Sequence, residues 1–249
     1  MTVPHRPISM RIATHRADRG GDLRESFLNR TPAPRIRHAA KGENIVNEGD
    51  SADYSLLLLE GWIALSKMLS DGDAQIIDIM VPGDFALIGA RAVPIAACSV
   101  EALSDVSYIL IGRDEVNGSD SAAADLREVL AGTIVATQAR TSEILLRMGK
   151  SSAASRVAYA LIELFIRLEA AGLTEGSSFH FPITQQRLGD FTGLSNVHVC
   201  RTLRRFVRGG LISYPDPAHI ALVDLDALAE IAEIDLSMFR NGILLTPVP

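Results

Sequence analysis

A change of sequence pattern near residue 120 divides this chain of 249 residues into a strand-rich part and a helix-rich part. Between residues 36 and 113, short runs of apolar and β-branched residues alternate with turns that contain glycine. Regularly spaced short strands between such turns are typical of a small antiparallel barrel or jelly roll. We therefore predict a β-roll over residues 36–120, with strands at residues 45–46, 54–59, 62–68, 75–80 and 106–112.

A helical pattern begins near Ser121 and predicts one long helix over residues 121–148. Its seam advances in steps of three and four residues through Leu126, Leu130, Ile134, Thr137, Thr141, Ile144 and Met148. A seam this narrow is typical of a helix that packs against a second copy of itself, so it predicts a homodimer. Packing of this helix on its own barrel is the alternative.

The sequence Gly-Lys-Ser-Ser at residues 149–152 interrupts the helical pattern and predicts a domain boundary. A further helix is predicted to follow it, over residues 153–171. We assign residues 149–235 to a C-terminal domain and residues 236–249 to a tail. The segment 1–35 is rich in proline and arginine without a periodic pattern, which predicts a basic, partly disordered arm.

The C-terminal domain contains a helix-turn-helix motif. Thr184 is suited to cap a short helix over residues 185–192, and Gly193 is suited to end it. Ser195 is suited to cap a second helix over residues 196–208, which two glycines terminate. Two short helices joined by a tight, glycine-containing turn form a helix-turn-helix.

The second helix of this motif has an apolar face and a cationic face when it is plotted at 100° per residue. The apolar face holds Val199, Leu203, Phe206 and Val207, and the opposite face holds Arg201, Arg205 and Arg208. The cationic face suits the major groove of DNA, although an ordinary arginine-rich amphipathic helix is the alternative. Two apolar runs, at residues 211–213 and 219–223, flank a turn at residues 214–217 and predict a β-wing, which favours DNA binding.

Charge is unevenly distributed along the chain, whose net charge is −6. Residues 1–41 carry nine Lys or Arg against three acids, and residues 184–213 carry five Arg against one acid. A local basic patch on an acidic protein indicates nucleic-acid binding better than the overall charge does.

These motifs, in this order, resemble the Crp/Fnr family of transcription regulators, and the resemblance covers about residues 36–235. The matching residues of the roll are Gly49, Gly61 and the segment Pro82-Gly83-Asp84-Phe85. Those of the C-terminal domain are Thr184, Leu188-Gly189, Gly193-Leu194-Ser195, Val199, Arg201, Leu203 and Gly210-Leu211-Ile212. The resemblance implies an α+β fold: an N-terminal cyclic-nucleotide-binding-type β-roll (a jelly roll), a long dimerisation helix and a C-terminal winged helix-turn-helix. It also implies double-stranded DNA and RNA polymerase as partners.

The resemblance further implies a role for each matching residue in DNA binding. Thr184 and Gln185 would contact the DNA backbone, Ser195 would bind a phosphate, and Arg201 would read a base. Val197 departs from the glutamate that is usual in the family, so the half-site is expected to differ at that base, since a valine can contact a thymine methyl group. The full predicted set is Thr184, Gln185, Gln186, Ser195, Asn196, Val197, His198, Arg201, Arg204 and Arg205.

The effector is predicted not to be a cyclic nucleotide. The family's phosphate-binding segment corresponds to residues 83–94, which lack its glutamate, and Arg91 is followed by alanine rather than by a hydroxyl residue. A buried phosphate needs paired, charge-assisted donors, and this segment offers few. Thr141 and Ser142 match the pair that contacts adenine in the cyclic-AMP receptor protein, so a cyclic-nucleotide-gated regulator is the alternative. The predicted effector pocket comprises Arg91, Thr141 and Ser142.

Two cysteines, Cys98 and Cys200, exclude any site that takes four thiolates from one chain, such as an all-cysteine iron–sulfur cluster. Histidine is absent between residues 46 and 165, and we assign neither a metal nor a cofactor. Cys98 is expected to be a buried strand residue. Cys200 lies on the second helix beside Arg201, so we hypothesise that it is a redox switch whose oxidation weakens DNA binding.

Two other classes of function compete with a regulator: an enzyme built on a β-roll, and a ligand-binding module that does not bind DNA. The chain carries no nucleophile elbow, P-loop or histidine cluster, so we predict that it is not an enzyme. Its apolar runs are shorter than the ~18 residues of a spanning helix, and no apolar region follows the N-terminal arginines. The expected location is therefore the cytoplasm, without membrane association.

Overall fold

A computed structural model describes residues 34–89, 92–119 and 121–244 of the chain. The N-terminal arm predicted for residues 1–35 lies outside the described residues, apart from its last two. Eight strands form the β-roll: β1 (Ile36–Ala39), β2 (Asn44–Val46), β3 (Tyr54–Glu60), β4 (Ile63–Met68), β5 (Ala74–Met80), β6 (Phe85–Leu87), β7 (Ser99–Ala102) and β8 (Val106–Gly112).

The roll consists of two antiparallel sheets with the strand orders β1-β8-β3-β6 and β2-β7-β4-β5. Leu56 and Leu58 of β3 share a hydrophobic cluster with Ile63 of β4 and Val100 of β7, and this cluster forms the core of the roll. The five predicted strands agree with the structure to within one residue at either end. Strands β1 and β7 were missed because they lack a continuous apolar run, and β6 was missed because it contains only three residues.

Two helices follow the roll, and five more helices and four strands come after them. The helices are α1 (Arg113–Asn117), α2 (Ser121–Lys150), α3 (Ala153–Ala170), α4 (Gln185–Thr192), α5 (Asn196–Arg208), α6 (Leu225–Ala232) and α7 (Leu236–Leu244). The strands β9 (Thr174–Glu175), β10 (Ser178–His180), β11 (Ile212–Asp216) and β12 (His219–Leu222) form a sheet of order β11-β12-β10-β9. The described ranges contain no candidate membrane-spanning helix.

Three boundaries in the C-terminal half differ from the predicted ones. Helix α2 continues through Gly149 and Lys150, so only two residues separate it from α3, whose N-cap is Ser152. Strand β11 extends to Asp216, which leaves a turn of two residues in the wing instead of four. The first nine residues of the predicted tail form α7, where Phe239 packs edge-on against Tyr159 at 5.2 Å.

The predicted seam of α2 is wrong in part, because three of its residues are used within the chain. Leu126 is buried against the outer face of the β1-β8-β3-β6 sheet, and Leu130 packs beside it. Ile144 packs against the core of the C-terminal domain. The large apolar side chains that α2 leaves exposed are Ile134, Val135, Leu145 and Leu146. We call these four residues the α2 apolar face.

The roll and the C-terminal domain share one hydrophobic core. Trp62, Ile76 and Leu103 from the roll belong to the same buried cluster as Leu161 of α3 and Phe206 of α5. Polar contacts reinforce this junction: Arg187 of α4 forms an ion pair with Glu101 of β7, and the Gln75 side-chain amide donates to the backbone carbonyl of Asp190. The C-terminal domain is therefore held firmly against the roll.

A buried ion cluster lies at the same junction and comprises Asp78, Asp84, Arg140, Glu163 and Arg167. Arg140 Nη2 lies 2.6 Å from Asp78 Oδ2, and Arg167 Nη1 lies 2.7 Å from Glu163 Oε1. Arg167 also forms an ion pair with Asp84 and donates to the carbonyl oxygen of Ile79 at 2.8 Å. Two guanidinium groups face three carboxyl groups, and burial raises the pKa of Glu163. The cluster connects the roll, α2 and α3.

Candidate nucleic-acid interface

The helix-turn-helix has the capping residues and the tight turn that its sequence predicts. Thr184 Oγ1 accepts a hydrogen bond from the backbone N–H of Arg187 at 3.2 Å, and Ser195 Oγ accepts one from that of His198 at 3.4 Å. Gly193 ends α4 in the left-handed region with φ 66°, which favours glycine. A Cβ atom on Gly189 would lie 2.5 Å from the carbonyl oxygen of Leu194, so only glycine lets the two helices approach this closely.

Helix α5 packs against the C-terminal domain through its apolar face and exposes its cationic face to solvent. Val199, Leu203 and Phe206 are buried as predicted. Val207 is 42% exposed, and Thr202 is buried instead, so the prediction for Val207 is wrong. The two residues border the apolar stripe on opposite sides, and α5 is turned so that position 202, and not position 207, faces the domain.

The ten predicted DNA-binding residues are all exposed, and they lie along α5 and at the start of α4. Within the described part of the chain, Arg201, Arg204, Arg205 and Arg208 form no ion pair with an acidic side chain. Val197 is 64% exposed at the first turn of α5. This surface offers unneutralised guanidinium groups next to one apolar side chain, which are the groups that base edges, phosphates and thymine methyl groups bind.

An open groove of about 780 Å³ runs along α5 and includes residues from three elements. Asn196, Val197, Arg201 and Arg204 from α5 line it, together with Gln185 from α4. Tyr214 from β11 also lines it, and burial raises the pKa of this phenol. The sequence assigned Tyr214 to a turn and so missed it. Its position within an apolar run before Pro215 could have indicated that it lies in a strand.

The two cysteines occupy different environments. Cys200 is half-buried on the flank of α5 and lines the groove. Cys98 is buried as expected, but it lies one residue before β7 rather than within a strand, and burial raises the pKa of its thiol. Of the two thiols, only that of Cys200 lies on the candidate DNA surface.

A separate cavity of about 400 Å³ lies between α2 and the roll. Thr141 and Ser142, which were predicted to line an effector pocket, do line it. Arg91, the third predicted residue, lies outside the described residues. Asp78 is the only charged side chain among the described residues that line this cavity. The predicted effector residues Thr141 and Ser142 therefore line a different cavity from the one along α5.

A jelly roll, a long helix and a winged helix-turn-helix with a free cationic recognition helix together define a DNA-binding transcription regulator. Residues 36–118 match the model of the cyclic nucleotide-binding domain, and residues 155–231 match the model of the Crp-like helix-turn-helix domain. The chain belongs to the Crp/Fnr family of transcription regulators. The predicted family, fold class and regulatory function are confirmed.

Curated relatives and solved structures of similar length agree with this assignment. The chain is 26% identical over 208 residues to a probable transcriptional activator of Rhizobium leguminosarum bv. viciae, covering 84% of each chain. It is 26% identical over 187 residues to the nitrogen fixation regulation protein FixK of Rhizobium meliloti, covering 75% of this chain and 82% of that one. The structure of FixK2 from Bradyrhizobium japonicum superposes with a TM-score of 0.70 at 26% identity, covering 82% of this chain and 99% of that chain.

Proposed function

We propose that this regulator binds an inverted-repeat operator as a homodimer, with α5 of each protomer in the major groove. The exposed guanidinium groups of α5, which have no acidic partner among the described residues, are the observation that carries this proposal. A symmetric dimer places two equivalent helices on two equivalent half-sites, about one helical turn or ~34 Å apart. RNA polymerase is the proposed second protein partner, because relatives of this chain are transcriptional activators.

The α2 apolar face is the proposed dimer contact. Ile134 and Leu145 are 50% and 71% exposed, although both are large apolar side chains in the middle of a helix of 30 residues. A soluble protein rarely leaves such a stripe open to water, and a second α2 packed along it would bury both. This proposed contact keeps Ile134 from the predicted seam and replaces its other residues by Val135, Leu145 and Leu146.

Each DNA-contacting residue has a proposed role that follows from its position. Arg201 points from the second turn of α5 and is suited to bind a guanine by two hydrogen bonds. Thr184 and Ser195 cap the two helices, and Gln185 and Gln186 lie in the first turn of α4. All four are suited to bind phosphates, where backbone N–H groups are also available. The remaining proposed contacts, to base edges or phosphates, are Asn196, Val197, His198, Arg204 and Arg205.

A selection experiment with the purified, ligand-free protein tests this proposal. Randomised duplexes that bind the protein are recovered and sequenced, in parallel with an Arg201→Ala variant as a matched control. We expect an enriched inverted repeat with the wild type and none with the variant. A wild type that enriches no repeat, with or without cyclic AMP and under reducing or oxidising conditions, would favour a ligand-binding module that does not bind DNA.

Val197→Glu is expected to change the base preference of the operator at one position in each half-site. A glutamate accepts a hydrogen bond from cytosine N4, whereas valine offers only an apolar contact to a thymine methyl group. The change in discrimination should be about 1–3 kcal/mol at that base pair. The same selection measures it, and Val207→Glu, which adds the same charge near the other end of α5, is the control. Identical enriched sequences from the wild type and Val197→Glu would contradict the assigned contact.

Cys200 is the proposed redox-sensitive residue of the groove. Oxidation to a sulfinic acid would add negative charge beside Arg201 and Arg204, and so repel DNA phosphates. Peroxide is expected to weaken operator binding by the wild type at least about ten-fold, which corresponds to ~1.4 kcal/mol, and to leave Cys200→Ser unaffected. Gel-shift titrations before and after treatment measure the effect, and Cys98→Ser is the control that should still lose affinity. Equal loss in the wild type and in Cys200→Ser would disprove the switch.

A further inference from the structure

The wing (residues 211–223) lies beside the candidate DNA surface but carries no permanent positive charge. It contains no Lys or Arg and one acid. A cavity of about 210 Å³ lies between the wing and the start of α4, where Thr184 and Gln185 line it. Tyr214 and His219 line the same cavity from the wing. Gln185 and Tyr214 also line the groove along α5, so DNA in that groove would pass close to His219, the only wing side chain that can become positively charged.

Asp216 holds the His219 ring in one tautomer. His219 Nδ1 lies 2.9 Å from Oδ2 and 3.0 Å from Oδ1 of this carboxyl group. Oδ1 also accepts a hydrogen bond from the backbone N–H of Ala218 at 2.7 Å. The bonds from His219 and Ala218 lower the pKa of Asp216, so the group is a carboxylate that only accepts hydrogen bonds. Nδ1 must therefore carry a hydrogen, and Nε2 of the neutral ring is left as an acceptor.

Protonation of His219 reverses the hydrogen-bonding role of Nε2. In the neutral ring, Nε2 presents a lone pair, which a phosphate oxygen cannot bind. In the protonated ring, Nε2 presents an N–H group and the ring carries a positive charge, and such a group forms a charge-assisted hydrogen bond with a phosphate. Histidine ordinarily changes its charge between about pH 5 and 8. The wing therefore gains a phosphate-binding group as the pH falls.

A second histidine limits this cluster to one proton. His180 of β10 pairs with His219 across the sheet, with the two ring centroids 5.6 Å apart. Burial lowers the pKa of His180, and the charge of His219 lowers it further. The other titratable groups that face the two rings are Asp216 and Tyr214 of β11 and Lys41, which precedes β2 and also opposes a charge on His180. His219, whose partner is a carboxylate, is therefore the histidine that takes up the proton.

We propose that protonated His219 binds a DNA phosphate through Nε2, and that operator binding therefore takes up a proton from the solvent at each half-site. The inference rests on the proposed function, since the operator is the ligand whose binding depends on the proton. The complex holds more protons than the free protein, so operator affinity rises as the pH falls. A phosphate contact carries no sequence information, so the affinity for every duplex should change by a similar factor.

The pH dependence of operator affinity tests this proposal. Fluorescence anisotropy with the selected operator gives the Kd at pH 6 and at pH 8, at one ionic strength. We expect the wild type to bind at least about five-fold more tightly at pH 6. His219→Asn keeps an amide N–H that can donate to Asp216 but has no atom at the position of Nε2, so its pH effect should be less than about two-fold.

His198→Gln is the matched control for His219→Asn. It removes the histidine of α5, whose Nδ1 lies 3.0 Å from Ser195 Oγ on the same DNA surface. This variant should keep the full pH effect, because it leaves the wing unchanged. A pH effect that is lost in His198→Gln and kept in His219→Asn would overturn the proposal.

A positive charge on the wing also changes the salt dependence of binding. Each phosphate that a protein neutralises adds about 0.9 to the slope of log K against the logarithm of the salt concentration. The wild-type slope should therefore be steeper at pH 6 than at pH 8, by up to about 0.9 for each half-site. The slope of His219→Asn should be the same at both pH values. Equal slopes in the wild type would contradict a contact through a charged ring.

Asp216→Asn tests the same pair without changing the histidine, so it stays informative if His219→Asn does not fold. It removes the anionic partner of the imidazolium and keeps an oxygen that can accept the hydrogen bond from the Ala218 N–H. The pH dependence of operator affinity should then move to lower pH. An unchanged pH profile in this variant would contradict the role of the pair.

Failure of the proposed function has a different signature. A wild type that binds no operator at either pH would contradict operator binding itself. A wild type that binds the operator with the same pH dependence as His219→Asn would contradict only the inference drawn here about the wing.

Discussion

Arg201→Ala is expected to remove most of the sequence discrimination of this regulator while leaving its fold unchanged. Arg201 is exposed and forms no ion pair with the described residues, so its side chain contributes little to packing. A two-bond contact between arginine and guanine contributes about 1–3 kcal/mol of discrimination, or about 5- to 150-fold in Kd. Fluorescence anisotropy with the selected operator, and with a duplex altered at the contacted base pair, measures that discrimination directly.

Arg208→Ala is the matched control for this prediction. It removes the same charge from the last turn of α5, away from the N-terminal turns that read bases. Its affinity should fall by a similar factor for every duplex, because a phosphate contact carries no sequence information. The reverse result, with discrimination lost in Arg208→Ala and kept in Arg201→Ala, would show that the protein docks on DNA in a different orientation.

Arg167→Leu is expected to cause the largest loss of stability among single substitutions of charged residues. Arg167 binds Glu163, Asp84 and the carbonyl oxygen of Ile79 in a buried site. Its removal leaves buried carboxyl groups without their cationic partner, which costs about 3–5 kcal/mol. Urea denaturation of the dimer at fixed protein concentration measures the free energy of unfolding.

Two controls separate the charge effect from other causes. Arg240→Leu breaks an exposed ion pair with Glu169 and should cost less than about 1 kcal/mol. Glu163→Gln should be tolerated, because burial raises the pKa of Glu163 and so favours its neutral form. A carboxyl group with a raised pKa loses its stabilising contribution as the pH rises through that pKa. Glu163→Gln should therefore also weaken the dependence of the free energy of unfolding on pH in this range. An Arg167→Leu variant as stable as Arg240→Leu would contradict the structural importance of the cluster.

The sequence was sufficient to predict the helix-turn-helix because its limits are set by local chemistry. Thr184 and Ser195 cap helices through hydrogen bonds to residues three positions away, and Gly193 supplies a backbone conformation that favours glycine. Each of these signals acts within a few residues. The exposure of α5 followed from the same local pattern, with Val207 as the exception.

The buried ion cluster and the α2 apolar face could not be predicted because they depend on distant partners. Arg140 meets Asp78 across 62 positions, and Arg167 meets Asp84 across 83. A charged residue on a helix is ordinarily solvated, so the sequence contained no signal that these were buried. The seam of α2 failed for a related reason: some of its apolar residues pack against the roll and the C-terminal domain, and periodicity does not identify the partner.

The shared core also gives the roll a structural role that does not depend on which effector it binds. Trp62, Ile76 and Leu103 complete the hydrophobic core around α3 and α5. A winged helix severed from the roll would expose that surface to water and tend to aggregate. The roll thus stabilises the DNA-binding domain, whether or not an effector is bound. In a protein built this way, the effector specificity of the roll can change while the roll itself stays necessary for folding.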